Sequence, residues 1–475
     1  MQEVTVIGAG LAGCEAAWAL AERGFKVKLY EMKPQKYTPA HHYEGLGELV
    51  CSNSLKAARP GSASGMLKAE MRILGSLILE AADNSSVPAG GALAVDRKKF
   101  SDYITEKINA HPNIELICGE ITEFPEKNTV IATGPLTSDG MAAAIGERCG
   151  DALSFYDAAA PIVSADSIDM SRAFFATRYD KGDADYINCP FNKVEYERFY
   201  EELINAETAP LKSFDKRDYD IEGTDEQCDH DAEGANQRHD RNTETNSETN
   251  NESANNAPEK ITVYEGCMPV EVLAKRGAES VRYGCMKPVG LVDPNTGHRP
   301  WAAVQLRKEN VEGSAYNLVG FQTNLKFSEQ QRVFRMIPGL ENAEFLRYGV
   351  MHRNTFLNSP KLLTNRFMLK NSDNVYFAGQ MTGVEGYVES AMSGIIAGQS
   401  LARALTGQPP LSLPITTMCG ALCGYVAAEN KDFQPMGANM GLLPPLEENI
   451  RNKQERYEKI AQRGIEELKR IVKQY

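Results

Sequence analysis

Two of this chain's ten cysteines stand apart from the rest. Cys51, in ELVCSNSLKA, has polar neighbours in Ser52, Asn53 and Ser54, with Lys56 close behind. Backbone N–H groups in a loop and a nearby cation would favour its thiolate. Cys267, in YEGCMP, follows a glycine and precedes Met-Pro, which suits a turn at a strand end. A thiolate can add to an electrophilic carbon or accept a proton, so a pair can divide those two tasks. A free cysteine is more often a small buried hydrophobe. Cys14, within a predicted first helix, reads that way.

Glycines supply a second kind of chemistry. Gly8, Gly10 and Gly13 form G-x-G-x-x-G between an apolar strand, VTVIGAG, and a helix predicted from Leu11 to Arg23. Gly8 permits the tight turn, Gly10 lets the backbone approach a pyrophosphate, and Gly13 allows close helix–strand packing. With Ala9, Leu11 and Ala12 between them, they set the phosphates at a helix N-terminus, where free N–H groups favour anions. Glu31, ending the second strand KVKLYEM, is placed to accept the adenosine ribose hydroxyls. Two later segments are IATG, with Gly134, and FAGQMTGVEGY, with Gly379 and Gln380. They resemble the strand–glycine segments by which glutathione-reductase-like flavoproteins hold the rest of FAD. No second G-x-G-x-x-G follows a strand, so NADPH or NADH would visit the flavin without a domain of its own.

The elements that position these groups follow from periodicity. Leu67, Leu74, Leu77, Ile78 and Ala81 recur at helical steps and predict one amphipathic helix from Met66 to Ala82. Asp96 caps another, with Phe100, Ile104 and Ile108 on one face. IELIC and TVIATG read as short strands. From about residue 151, aromatics, prolines and mixed strands replace this alternation, until NVYFAGQ and a helix from Ser390 to Ala404 return to it. The expected fold is α/β: a glutathione-reductase-like Rossmann FAD domain, residues 1–150 and 345–475, around a smaller inserted α+β domain, residues 151–344. A charged C-terminal helix carries Ile450, Tyr457, Ile460, Leu468 and Ile471 as its apolar stripe.

Composition narrows the setting. Hydrophobic residues at 42% and charged residues at 24% are ordinary for a globular chain. No basic, apolar leader opens the sequence, and no stretch reaches the ~18 uncharged residues of a membrane span. A cytoplasmic protein with reduced thiols is expected. The net charge is −13, but 14 Asp/Glu against 5 Lys/Arg fall between Ser213 and Lys260. The rest of the chain is therefore only mildly acidic, and charge does not exclude an RNA partner. Glu222 to Lys260 holds no Val, Ile, Leu, Met, Phe, Tyr or Trp. It is predicted to be a disordered surface insertion, with Cys228 incidental to it.

GAGLAGCEAAWALAERG, TPAHH, ELVCSNSLKA, YEGCMPVEVLAKRG, GFQTNLKFSEQQRVFRMIPGLENAEF, RYGVMHRNTFLNSP and FQPMGANMGLLPPL together resemble the folate- and FAD-dependent tRNA (uracil-5-)-methyltransferases. The resemblance spans nearly the whole chain apart from Ser213 to Lys260. That insertion is expected to depart from the family's usual length, and it ends just before YEGC. The resemblance implies that methylenetetrahydrofolate gives one carbon and reduced FAD the electrons, with NADPH or NADH as reductant. The carbon would go to C5 of a T-loop uridine in tRNA. Cys51 and Cys267 would be catalytic, one as nucleophile at uracil C6 and the other as base, in either assignment. An imidazole would stack on the folate pterin: His352 in MHRN is the candidate and His298 in GHRPW the rival. No membrane, metal or obligatory protein partner is implied. A sister enzyme acting on ribosomal RNA, a wobble-uridine-modifying flavoprotein with a protein partner, and a purely RNA-binding flavoprotein are the competing readings. A simple NAD(P)H oxidase would require neither cysteine.

Overall fold

A computed structural model describes residues 2–38, 40–150, 153–180, 184–209, 268–430 and 433–473. Cys267, Cys228 and the predicted disordered insertion lie outside the described residues.

Five strands pair in parallel: β1 (Glu3–Ile7), β2 (Lys26–Glu31), β6 (Ile114–Cys118), β7 (Lys127–Ile131) and β16 (Asp373–Phe377). Their order is β16-β7-β1-β2-β6. Val6, Leu29, Val130, Ile131 and Phe377 are fully buried, as expected of a parallel sheet covered on both faces. Helix α1 (Leu11–Ala21) packs on α11 (Tyr387–Leu405) so closely that a Cβ at Gly394 would lie 2.1 Å from the Ala12 carbonyl. Asp96 caps α4 (Arg97–Ala110) by accepting the Lys98 and Lys99 N–H groups. Helix α5 (Asp139–Cys149) follows β7, and strands β3 (Ser54–Ala57), β4 (Ser86–Val87) and β5 (Ala92–Val95) form a small antiparallel sheet.

The single helix predicted over 66–82 is two, α2 (Ala63–Ile73) and α3 (Leu77–Asn84). Gly75 turns the chain with a φ of +83°, and Ser76 caps the new start. Glu15 of α1 makes the break stable. Its buried carboxylate accepts the Ser76 hydroxyl and the N–H groups of Leu77 and Ile78, the latter two at 3.1 Å. Apolar spacing continues across the break because both pieces face the same core.

A second sheet has the order β10-β11-β12-β13-β9-β14 and is antiparallel throughout. Its strands are β9 (Ile162–Ser164), β10 (Phe174–Phe175), β11 (Tyr186–Phe191), β12 (Ala302–Lys308), β13 (Ala315–Leu318) and β14 (Phe345–Arg347). Phe191, Phe199, Phe321 and Phe334 belong to a separate apolar core that these strands share with four helices. The helices are α6 (Lys193–Asn205), α7 (Val270–Ala274), α8 (Ala278–Tyr283) and α9 (Phe327–Phe334). An antiparallel ribbon of β8 (Leu153–Ala158) and β15 (Met351–Phe356) carries the chain into and out of this region. After it come α10 (Ser359–Leu362), α12 (Met418–Ala427) and α13 (Lys453–Val472). Helix α13 buries Ile460 and Leu468, whereas Ile450 precedes it. Among the described residues, no helix is long and apolar enough to cross a membrane.

Candidate active site

The carboxyl ends of β1, β7 and β16 open into one cleft. Strand order puts it there: β1 has β2 on one side and β7 on the other, so connections diverge and leave a crevice at the strand ends. Gly8, Ala9, Gly10, Leu11, Ala12, Glu31, Gly134, Gly379 and Gln380 line it. Gly8 has a φ of +95°, and a Cβ there would lie 2.6 Å from the Ala132 carbonyl oxygen. Gly13 packs beneath the turn, where a Cβ would meet Gly8 O at 1.7 Å. At Gly10, by contrast, a Cβ would find no protein atom within 4 Å. Its missing side chain leaves room in the cleft and relieves no clash within the protein. No side chain caps α1, so its first N–H groups remain for an anion. Glu31 accepts Ala9 N–H at 2.8 Å and Lys33 N–H at 3.0 Å. A carboxylate offers about four acceptor sites, so capacity for hydroxyls remains. His41, from TPAHH, also lines the cleft, with Nδ1 2.6 Å from the Thr38 hydroxyl. Burial holds its pKa below the usual histidine value, with Glu48 pulling the other way.

Cys51 sits on the rim, half-buried, next to cleft-lining Val50 and Tyr387, in a loop gripped by two helices and by two strands of the second sheet. The Tyr387 hydroxyl, at the start of α11, accepts the N–H groups of Cys51 at 2.6 Å and Ser52 at 3.1 Å. Burial, then the neighbouring Cys51, pushes the Tyr387 phenol pKa upward, so this hydroxyl stays protonated. Arg97, opening α4, donates to Leu49 O at 2.8 Å and pairs with Glu309 at 2.7 Å. From the second sheet, Arg347 donates to Val50 O at 2.6 Å. Arg307 donates to Ser52 Oγ at 2.7 Å and Asn53 Oδ1 at 2.9 Å. The Cys51 thiol itself donates to Ala158 O at 3.7 Å. Pairing explains this convergence: Arg307 faces Asn317, Asn317 faces Ile162 and Ile162 faces Arg347 across three neighbouring strand pairs. Cross-strand partners project to one face, so both guanidiniums reach the same loop.

Comparison with known proteins places this geometry. Residues 3–230 and 225–409 match the family model described as "Glucose inhibited division protein A". "Methylenetetrahydrofolate--tRNA-(uracil-5-)-methyltransferase TrmFO" of Bacillus licheniformis is 51% identical over 99% of both chains. The protein of the same name from Heliobacterium modesticaldum is 53% identical over 99% of this chain and 98% of its own, so these relatives match this chain in length and the expected departure from the family's length is not found. The chain belongs to the TrmFO family. A solved structure of Aquifex aeolicus GidA covers 99% of this chain and 75% of its own, with a TM-score of 0.62 and 16% identity. That likeness establishes the fold alone, an α/β architecture.

Among the residues expected of a TrmFO chain, the glycines, Glu31 and Cys51 converge on one cleft and its rim. Cys267 lies outside the described residues, as does the side chain of His352, whose backbone in β15 pairs with Asp157. His298 sits on an exposed turn and accepts the Asp293 N–H at 3.0 Å through its carbonyl. Lys56 departs from expectation. Its ammonium reaches Glu389 at 3.0 Å, and the cations beside the Cys51 loop are Arg97, Arg307 and Arg347. Ser52 and Asn53 cap no helix; they receive Arg307. Cys14 is fully buried, and burial first, then Glu31, pushes its thiol pKa up. Sequence reasoning passes over Tyr387, Arg97, Arg307 and Arg347. Two carry a signal: Tyr387 ends FAGQMTGVEGY and Arg347 opens RYGVMHRNTFLNSP. The described residues contain no His/Cys/Asp/Glu cluster able to hold a metal.

Proposed function

We propose that this chain forms 5-methyluridine in the T-loop of tRNA, with methylenetetrahydrofolate as carbon source and FAD as cofactor. One observation carries the reading: Cys51 stands at the rim of the cleft lined by Gly8, Gly10 and Gly379, in a loop held by Tyr387, Arg97, Arg307 and Arg347. The division into a flavin domain, 1–150 and 345–475, and an inserted domain, 151–344, is part of the proposal. So are a cytoplasmic location, NADPH or NADH as reductant, and action without an obligatory protein partner.

Gly8 to Ala12 would hold the FAD pyrophosphate, Glu31 the adenosine ribose, and Gly134, Gly379 and Gln380 the remainder. Reduced FAD, when bound, supplies the electron pair that makes the transferred carbon a methyl group. Uracil C5 is a poor nucleophile until a thiolate adds at C6. Cys267 takes that role, and the resulting enolate attacks the folate methylene through C5. Cys51, at the flavin-side rim, then removes the C5 proton as the folate nitrogen–carbon bond breaks, and once the resulting exocyclic methylene is reduced to a methyl group the Cys267 thiolate leaves C6. His352 is the imidazole that stacks on the pterin. The opposite division of labour between the cysteines is tested by the same variants.

Purified protein, labelled methylenetetrahydrofolate and NADPH should label a tRNA transcript. Label confined to ribosomal RNA overturns the substrate. Cys51→Ala and Cys267→Ala should each retain flavin and lose methylation by orders of magnitude. A 5-fluorouridine-bearing tRNA should form a covalent adduct that Cys267→Ala abolishes and Cys51→Ala retains. Wild-type methylation by Cys51→Ala would refute the role given to that thiol.

A further inference from the structure

At the end of β12 opposite the Cys51 loop, the surface is basic and aromatic. Arg282 of α8 lies with its guanidinium carbon 3.6 Å from the centre of the Trp301 ring and 4.9 Å from that of Tyr283. Its Nε donates to Trp301 O at 3.0 Å, and Glu279 pairs with it at 3.1 Å. Lys193 Nζ, at the start of α6, is 5.5 Å from the same Trp301 ring centre. Arg282 is 9% exposed and Tyr283 51% exposed. The cation is thus set beneath a ring that faces solvent.

Charge on this surface runs against that of the chain. From Val270 to Trp301 there are five Lys/Arg and three Asp/Glu, in a chain of net charge −13. Two of those acids are buried and engaged: Glu271 accepts from Thr323 and Asn324, and Asp293 from Asn295. Glu279 is the exposed one, and Lys275, Arg276 and Arg299 are exposed as well. Two features tie the patch to the candidate site. Helix α7 begins within a few residues of Cys267. Strand β12 runs from beside Trp301 to Arg307, about 20 Å at ~3.4 Å per residue.

We infer that Tyr283, Arg282, Trp301, Arg299 and Lys275 form a docking surface for RNA away from the reacting uridine. An unpaired base stacks on Tyr283, backed by Arg282, and Arg299 and Lys275 neutralise phosphates. Stacking on aromatic and guanidinium planes is how proteins hold splayed-out RNA bases, and the local positive field suits a polyanion. This rests on the tRNA substrate proposed above and adds where the rest of that RNA is held.

The test measures binding of an unmodified tRNA transcript to the full-length, flavin-loaded protein across a salt series. Tyr283→Ala should weaken binding about 5- to 100-fold without changing the salt slope, and Tyr283→Phe should bind as wild type. Arg299→Glu should weaken binding and lower the slope by about one. Flavin content should be unchanged in all three. If Tyr283→Ala and Arg299→Glu bind like wild type while wild type methylates tRNA, the surface is overturned and the function stands. An equal loss from Tyr283→Phe and Tyr283→Ala also overturns the stacking. Wild-type protein that neither binds nor methylates tRNA overturns the substrate reading and the surface with it.

Discussion

Tyr387→Phe deletes one oxygen and keeps the ring that packs beside the core. That oxygen accepts two backbone N–H groups, from Cys51 and Ser52. Each bond contributes about 0.5–1.5 kcal/mol net, so the variant should lose about 1–3 kcal/mol of stability in urea unfolding. Because the loss falls on the loop that carries Cys51, it should also reach the reaction. If all of it goes into misplacing the thiol, methyl transfer slows by about 5- to 150-fold. Single-turnover transfer of label from folate to a tRNA transcript measures this, and the absorbance of bound flavin controls for the cleft that Tyr387 also lines. Arg347→Met removes the grip on Val50, one residue away. The two losses should therefore couple by at least about 0.5 kcal/mol in a double-mutant cycle. A Tyr387→Phe enzyme with wild-type transfer, or strict additivity with Arg347→Met, would refute the idea that these groups hold one catalytic loop.

Gly10→Val should fold as well as wild type, because a Cβ there meets no protein atom within 4 Å, yet purify colourless; full flavin content would sink the pyrophosphate assignment. Gly13→Ala should fail differently, by thermal destabilisation, since its Cβ would lie 1.7 Å from Gly8 O. Glu70 accepts the Met418 and Cys419 N–H groups at 2.8 Å each, and burial still pushes its carboxyl up to about 7, against an ordinary 4.5. A raised folded-state pKa gives stability that is complete below the unfolded value and lost as pH rises through the folded one. Relative to Glu70→Gln, wild type should therefore lose about 3 kcal/mol between about pH 4.5 and 7.5. A flat or rising difference in denaturant titrations would contradict this.

The flavin cleft is legible in sequence because glycine spacing is a local property, and three strand–glycine segments each announce themselves without their neighbours. The Cys51 loop is legible only in part. Its serines and asparagine mark it as irregular, but what holds it is set by strand pairing hundreds of residues away. Arg307 and Arg347 show no spacing pattern, because they meet only through Asn317 and Ile162. Lys56 misleads because nearness in sequence is not nearness in space: its own φ of +62° and Glu389 take it elsewhere. The predicted helix over 66–82 misleads in the opposite way. Hydrophobic period survives a break that Gly75 turns, Ser76 caps and Glu15, on another helix, holds.

Strand β16 pairs with β7 although Asn374 and Asn128, which bond across them, are 246 residues apart. The gap between Cys51 and Tyr387 is 336. At ~5–20 residues per second of synthesis, a growing chain would carry the Cys51 loop for about 20–70 s before its tyrosine emerges. The central sheet would meanwhile lack the strand that completes the cleft. Flavin capture is then one of the last events in this protein's birth. During that interval an accessible thiol depends on the reducing power of its surroundings, with no help yet from its own fold.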